Sequence, residues 1–520
     1  MPGMTEDLLE TTALSWFAEL GYRTLHGPDL APDGCSPERD DYRQAILVGR
    51  LCQALERINP GVSAEGIDEA MRRILNPPSP DLMTNNRALH RLLTDGVDVE
   101  VAAPEEYGGT QHVKVWLFDL DDVANNEFLA LNQYTVIEEP SSQGSAVSGK
   151  KNRRADVVVF VNGLPLGVLE LKNPGSENAT IRHAFNQLQT YKADIPSLFT
   201  ANEVLVISDG LRARLGTLSS GWDRFMPWRT VDGTGVAPKG TPELETLIRG
   251  VFEPRRFLDY VLNFVVFEDD LSARSAQAGG AKVIKKAAAY HQYWAVNRAL
   301  SCTFSACGID ADERRLIGRF PAFDPNGELA IGEGARKYGK GTTHFGGHRI
   351  GVIWHTQGSG KSLSMTFYAG KVIRHPDMGN PTLVVITDRN DLDEQLFTTF
   401  ANCRELLRQT PVQAASRAHL KDLLKVASGG VIFTTIQKFA GDDTLTTREN
   451  VVVIADEAHR SQYGFIDGFA RKLHEALPHA SFIGFTGTPV ESDDRSTPAV
   501  FGDYIDKYDI LRAVEDGATV

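Results

Sequence analysis

The sequence predicts an α/β protein with more than one core, and three observations carry that prediction. Between residues 382 and 485, four short apolar runs each end in a polar loop and alternate with helical stretches. That is the pattern of a parallel sheet covered by helices on both faces. Upstream, residues 153–172 are two β-rich runs around Asn162-Gly163, a strong hairpin signal. The chain has 520 residues, too many for one hydrophobic core, so roughly three domains are expected.

Composition narrows the class. The chain is 42% hydrophobic and 23% charged, which excludes wholesale disorder. A net charge of −14 excludes a chain coated in positive charge, but a nucleic-acid site needs only a local basic lining. The five cysteines (Cys35, Cys52, Cys302, Cys307 and Cys403) contain no C-x-x-C pair and no zinc quartet, and read as free thiols of a reducing compartment. The N-terminus is acidic, and no apolar run approaches the roughly 20 residues needed to span a bilayer. A soluble cytoplasmic protein with no membrane partner is expected.

Residues 5–21 predict a helix with Leu9, Ala13, Trp16, Phe17 and Leu20 on one face, and Glu6 and Glu10 lie one turn apart on it. Helical segments follow at 41–57 and 66–75, a Pro-rich break at 76–80, and strands near 113–120 and 129–138. In the hairpin, Glu170 and Lys172 are two residues apart and share one strand face, with Leu169 and Leu171 on the other. Asp156 begins the neighbouring strand and can reach the same face. An Asp and a Glu offer hard oxygen ligands for Mg²⁺. A lysine beside them can orient or help deprotonate an attacking water and stabilise charge on a phosphorane. The pattern Asp-(x13)-Glu-x-Lys therefore points to a metal-dependent nuclease, with charges on a solvated strand face as the bland alternative. A helix at 179–192 carries Gln187 and Tyr191.

Further on come a strand at 204–210, a Gly/Pro-rich linker at 230–242, helices at 243–252 and 256–267, and a small-residue polar stretch at 271–280. Lys282, Lys285 and Lys286 read as a solvated helix face or a patch for nucleic-acid backbone. Gln292 lies upstream of the glycine-rich loop, where a glutamine amide can both donate to N7 and accept from the N6 amine of adenine, selecting ATP over GTP. Residues 301–347 are irregular and read as an insertion. The expected domains are 1–255, a helical connector at 256–300, the insertion at 301–347, and a nucleotide-binding lobe at 348–520.

The lobe opens on an apolar run ending in His355-Thr356-Gln357-Gly358-Ser359-Gly360-Lys361-Ser362. Glycines let backbone N–H groups close around phosphate oxygens, Lys361 adds a charge at the β/γ-phosphates, and Ser362 helps to hold Mg²⁺. The generic spacing has a glycine where this chain has His355. Asp456 is the candidate Mg²⁺ ligand of the nucleotide, and Glu457 the candidate for polarising the hydrolytic water. Thr486 and Thr488 are candidates for a relay between nucleotide and a bound strand, Arg389 and Lys438 for contacts with DNA phosphates. All of these follow strands, and in parallel sheets ligands lie at the carboxyl ends of strands.

Asp156, Glu170-Leu171-Lys172 and Gln187-x-x-x-Tyr191 resemble the RecB-type branch of the PD-(D/E)xK nucleases. The resemblance implies that Gln187 and Tyr191 lie beside the active site and help to position DNA and metal, and that a glutamate of the first helix, Glu6 or Glu10, sits near the metal. From Gln292 to Thr486-Gly487-Thr488-Pro489, through Asp456-Glu457-Ala458-His459, the motifs resemble superfamily 2 helicases and translocases in order. Together, with Tyr290-His291-Gln292, Trp354-His355 and Arg460-Ser461-Gln462, they resemble the restriction subunit of Type I restriction–modification enzymes over nearly the whole chain, and His355 fits that family's own loop. The fold this implies is a PD-(D/E)xK endonuclease-like α/β/α domain followed by a RecA-like parallel-sheet helicase lobe. The implied cofactors are ATP and Mg²⁺; the implied partners are double-stranded DNA and the methyltransferase (modification) and specificity subunits. The implied activity is ATP-driven translocation with Mg²⁺-dependent cleavage. Family members continue into a second RecA-like lobe, so the expectation for these 520 residues is a nuclease with half a motor, weak in nucleotide binding and unable to translocate. Two other readings remain: a repair-type helicase–nuclease working on DNA ends, and a non-catalytic DNA-binding or assembly module.

Overall fold

The Asn162-Gly163 turn forms as its sequence dictates, with φ of 51° and 79°, values that Asn tolerates and Gly adopts freely. A side chain at Gly163 would also strike the Leu47 carbonyl at 2.5 Å. The structure is a computed structural model that describes residues 5–102, 109–139, 150–173, 180–270, 282–309, 348–387, 390–426, 429–439, 443–458, 472–487 and 500–519. The chain divides into two compact units. The first comprises residues 1–231, 236–265 and 269–287, the second residues 232–235, 266–268 and 288–520.

In the first unit, α1 (Glu6–Glu19) leads to β1 (Arg23–His26), α2 (Val48–Ile58), α3 (Ala64–Leu75), α4 (Leu82–Asp95) and the antiparallel pair β2 (Val97–Ala102) and β3 (Thr110–Val115). Then come β4 (Phe128–Glu138), β5 (Lys151–Val161), β6 (Leu164–Leu171), α5 (Ile181–Asp194), β7 (Val204–Ser208), β8 (Ala213–Gly216), α6 (Glu243–Val251) and α7 (Pro254–Asn263). The six-stranded sheet has the order β1-β4-β5-β6-β7-β8. β1 pairs in parallel with β4, the β4–β5 and β5–β6 pairs are antiparallel, and β6 pairs in parallel with β7. Every residue of β6 is buried, so Glu170 lies inside the protein rather than on a solvated face. α5 packs on this sheet through Ile181, Ala184, Leu188 and Tyr191. β9 (Val265–Asp270) and β10 (Lys282–Ala287) pair with one another.

Three expectations change. The helix expected at 41–57 starts only at Val48, because Asp41 accepts from the Arg43 N–H and Gln44 from the Asp40 N–H. Such local bonds offer the backbone an alternative to helix. The helix α4 was unforeseen although its marks are in the sequence: Asp81 caps it by accepting from the Thr84 N–H, and Gly96 ends it. Residues 282–287 form a strand rather than a helix face, and Lys285 is fully buried, paired with Glu203 at 2.8 Å and bonded to Asn86 and the Asn202 carbonyl. A lysine consumed in this way is no contact for nucleic acid.

In the second unit, α8 (Tyr290–Ala306) precedes a sheet with the order β13-β14-β12-β15-β16-β11-β17. Its strands are β11 (Arg349–His355), β12 (Thr382–Thr387), β13 (Val412–Gln413), β14 (Val431–Thr435), β15 (Val451–Ala455), β16 (Ser481–Thr486) and β17 (Tyr504–Tyr508). Every pairing is parallel. Between them lie α9 (Lys361–Arg374), α10 (Asn390–Asn402) and α11 (Arg417–Lys425), with α12 (Ile510–Glu515) last. β12, β14, β15 and β16 are wholly buried, as continuous apolar strands of a covered parallel sheet should be. Residues 301–306 of the expected insertion complete α8. The rest of it from 310 to 347, Arg389, His459-Arg460-Ser461-Gln462 and Thr488-Pro489 lie outside the described residues. No helix among the described residues is long and apolar enough to cross a membrane.

Candidate active sites: a carboxylate–lysine cluster and a phosphate loop

The hairpin brings Asp156, Glu170 and Lys172 together. Asp156 accepts from the Leu171 N–H at 2.7 Å, extending the ladder by a side chain. The Lys172 ammonium donates to Glu170 at 2.6 Å and to the Leu171 carbonyl at 3.1 Å. Burial and the charge of Asp156 push the Glu170 carboxyl well above the usual range, and burial raises Asp156 as well. Each carboxylate makes the other harder to ionise, so the pair carries its charge under strain. Burial pulls the Lys172 ammonium down, but Glu170 and Asp156 outweigh it and hold the amine charged. The second oxygen of Glu170 is buried with no hydrogen-bond partner.

The neighbours complete the wall. Tyr191 donates to the Arg154 carbonyl at 2.8 Å and accepts from the Gln187 amide at 2.5 Å. Its hydroxyl is raised by burial and then by the charge of Glu170, which puts the Gln187–Tyr191 pair beside the carboxylates. Of the two glutamates on α1, Glu6 is exposed and Glu10 is buried. Burial first, then the Asp156 charge, push Glu10 up to about 7, although the Asn132 amide donates to it at 3.2 Å.

The donors fit a divalent cation. No cluster of three or more His, Cys, Asp or Glu suited to a metal forms among the described residues. Mg²⁺ needs fewer, since it keeps several waters and takes one or two carboxylates plus substrate phosphate. Asp156 and Glu170 are such a pair, with one oxygen orphaned and both carboxyls raised by burial, a strain that a cation relieves.

In the second unit the motifs converge at the carboxyl edge of adjacent strands. The loop 356–360 follows β11, Asp456 and Glu457 follow β15, and Gly487 follows β16. Gly358 and Gly360 take φ of 85° and 84°, and α9 opens at Lys361, so the helix N-terminus and the loop N–H groups face one place. The Lys361 ammonium lies 3.9 Å from Glu457. It also lies so near Gly487 that a Cβ there would come within 2.6 Å of it. Glu457 sits at a φ of 49°, a strained value for a residue with a side chain. Asp456 is held by its N–H to the Ile386 carbonyl and accepts from the Glu457 N–H. Gln292 is buried, donates to the Gly360 carbonyl at 3.0 Å and accepts from the Ala289 N–H. Ser362 is half-buried in the first turn of α9, and Thr486 is buried at the end of β16. Lys438 donates to the Ala414 carbonyl at 2.5 Å, so its ammonium serves the fold.

The family described as the N terminus of the Type I restriction enzyme R protein matches residues 3–224, and that described as the SWI2/SNF2 ATPase matches residues 291–520. The Type I restriction enzyme HindI endonuclease subunit of Haemophilus influenzae is 42% identical over 99% of this chain. The chain belongs to the family of Type I restriction enzyme endonuclease subunits. The MjaIXP type I restriction enzyme endonuclease subunit of Methanocaldococcus jannaschii is 34% identical, again over 99% of the chain. The chain spans 46% of the length of each of these relatives. A fragment structure of an HsdR subunit from Vibrio vulnificus aligns with 75% of this chain and 56% of its own at 15% identity and a TM-score of 0.26.

In this Type I subunit, the glycine-rich loop is braced by the motif residues His291 and His355 and by Arg298, Asp506 and Tyr508, which carry no motif in the sequence. His291 donates from Nε2 to the Ser359 carbonyl at 3.1 Å and stacks on Tyr508, centroids 3.8 Å apart. His355 is fully buried, and its Nε2 donates to Asp506 at 2.9 Å. Arg298 pairs with the same carboxylate. Burial would raise Asp506, but His355 and Arg298 hold it below the usual range. Asp506 and Tyr508 lie about 150 residues from His355 in sequence, and nothing short of the fold connects them.

Proposed function

We propose that this chain carries the DNA-cleaving centre and the nucleotide-binding lobe of a Type I restriction–modification enzyme. The first unit is read as a PD-(D/E)xK endonuclease-like α/β/α domain and the second as a RecA-like lobe. The observation that supports the reading most is the contact of Asp156, Glu170 and Lys172 inside the hairpin, with one oxygen of Glu170 buried and unpaired. An unpaired buried polar group costs about 1–3 kcal/mol, which a merely structural charge pair has no reason to retain.

Asp156 and Glu170 would hold Mg²⁺, which supplies Lewis-acid polarisation of the scissile phosphate and a more acidic water. Lys172 orients the attacking water and offsets the charge that develops on the phosphorane. Gln187 and Tyr191 fix the wall against which the DNA backbone and the carboxylates are aligned. In the second unit, Gly358, Ser359, Gly360 and Lys361 receive the phosphates of ATP. Ser362 and Asp456 would hold its Mg²⁺, Glu457 orients the hydrolytic water, and Gln292 contributes to adenine selection. Where a second lobe completes the motor, ATP turnover would drive movement along double-stranded DNA, and the methyltransferase and specificity subunits would read sequence and methylation state.

The test is cleavage of an unmodified supercoiled plasmid by the complex reconstituted with its methyltransferase and specificity subunits, in Mg²⁺ and ATP. Lys172→Ala and Asp156→Asn should stop cutting and leave ATP hydrolysis unchanged. Undiminished cutting by either variant overturns the nuclease assignment.

A further inference from the structure

We infer that His291 is a positioning residue of the phosphate loop, aiming the Gly360 N–H at the nucleotide by holding the Ser359 carbonyl from behind. The inference rests on reading that loop as a nucleotide site.

The argument begins with the peptide group. In a trans peptide the C=O of one residue and the N–H of the next point in opposite directions. The Ser359 carbonyl and the Gly360 N–H belong to one such plane. His291 donates from Nε2 to that carbonyl at 3.1 Å, so the Gly360 N–H is turned away from His291. The plane needs such a tether. It is flanked by Gly358 and Gly360, both at positive φ, and glycine backbones rotate freely unless something holds them. Other bonds steady the loop on either side: the Ser359 hydroxyl donates to the Thr356 carbonyl at 2.6 Å, and Gln292 donates to the Gly360 carbonyl at 3.0 Å. Only the His291 bond is directed at the Ser359–Gly360 plane among the bonds described for that carbonyl.

The imidazole is itself fixed. It is 5% exposed, stacks on Tyr508 with the ring planes 10° apart, and meets His355 edge-on at 5.3 Å. Tyr508 is anchored in turn, its hydroxyl donating to Asp516 at 2.8 Å and its carbonyl accepting from the Thr356 N–H at 2.9 Å. Burial, and then the neighbouring His355, lower the His291 imidazole to about 3. The ring is therefore neutral at working pH and carries its proton on Nε2, the nitrogen that the tether needs.

The test is titration of this chain with fluorescent ADP, and separately with fluorescent adenosine, alongside its thermal unfolding. His291→Phe keeps a ring to stack on Tyr508 and removes the donor. It should weaken ADP roughly three- to tenfold, the worth of one hydrogen bond, with adenosine affinity unchanged and the unfolding temperature somewhat lower, since the Ser359 carbonyl loses its donor. His291→Gln places an amide N–H near the position of Nε2 and should restore ADP affinity. Equal loss for ADP and adenosine, unchanged ADP affinity in His291→Phe, or failure of His291→Gln to restore it each overturns the inference. Lys361→Ala separates the two levels. If it leaves ADP affinity unchanged, the loop is not the nucleotide site and the reading beneath the inference fails; if it abolishes binding while His291→Phe does nothing, only the inference fails.

Discussion

The cluster on β5 and β6 buries charge beside like charge, whereas the loop after β11 buries polar groups that have mostly found partners. Glu170 is 0% exposed with one oxygen unpaired, next to a second carboxyl whose charge pushes it up. At the loop, Asp506 is half-buried and receives both His355 and Arg298, and the loop carbonyls at 359 and 360 are bonded to His291 and Gln292. The first arrangement is under electrostatic tension that a cation relieves. The second spends its bonds on shape, so that backbone N–H groups are left pointing where an anion belongs. The difference suits the ligands proposed for the two sites: a metal needs bare oxygens, and a phosphate needs oriented donors.

The largest effect that would break this comparison is in cleavage. If Asp156 and Glu170 are the strained, metal-receiving pair, Lys172→Ala should lower the rate of plasmid cutting by about 10³-fold, the scale of losing one transition-state contact together with its site geometry. A stability measurement comes next. Asp506→Ala strips the Arg298 guanidinium and the buried His355 N–H of their partner and should cost roughly 3 kcal/mol in urea unfolding of the second unit, whereas a partnerless group would cost little when removed. An unchanged unfolding midpoint would show that the loop is not braced through β17.

A smaller effect concerns Glu10. Its folded carboxyl is pushed up to about 7 from an ordinary value of 4.5, by burial first. The folded state therefore binds the extra proton, and the stability this contributes is complete below pH 4.5 and lost as pH rises through about 7. Without metal, the difference in unfolding free energy between the native chain and Glu10→Gln should drift by roughly 3 kcal/mol across that window. Since cation binding needs the carboxylates bare, Mg²⁺ affinity should climb over the same window. A flat difference would remove Glu10 from the cluster. The smallest effect belongs to Gly487→Ala. Its Cβ would stand 2.6 Å from the Lys361 ammonium, which is the end of a flexible side chain and can shift, so ADP affinity should fall only a fewfold, about 1 kcal/mol or less.

Much of both sites was legible because both depend on local spacing. Glu170 and Lys172 share a face by the two-residue period of a strand, and Asn162-Gly163 sets the turn that brings Asp156 back to them. Gly358, Gly360 and Lys361 sit at one turn and one helix start. What could not be read depends on distant partners or on burial. Lys282, Lys285 and Lys286 look alike in sequence, yet Lys285 is buried because Glu203 and Asn86 happen to face it. Lys438 looks like a phosphate contact until the Ala414 carbonyl is seen to hold it. The choice between Glu6 and Glu10 is a matter of helix rotation, which the packing of Leu9, Ala13 and Phe17 fixes by turning Glu10 inward.

The order of residues is enough to yield the two chemistries, the parallel sheet with its motifs at one edge, and the hairpin that carries the carboxylates, because periodicity and turn chemistry act over a few residues. Folding supplied the states of those groups. The raised carboxyls, the unpaired oxygen of Glu170, and the bracing of the phosphate loop by His291, Tyr508 and Asp506 arise from burial and from contacts between segments far apart in the chain. No short-range rule encodes them, since desolvation and long-range hydrogen bonding exist only once the surrounding structure has closed.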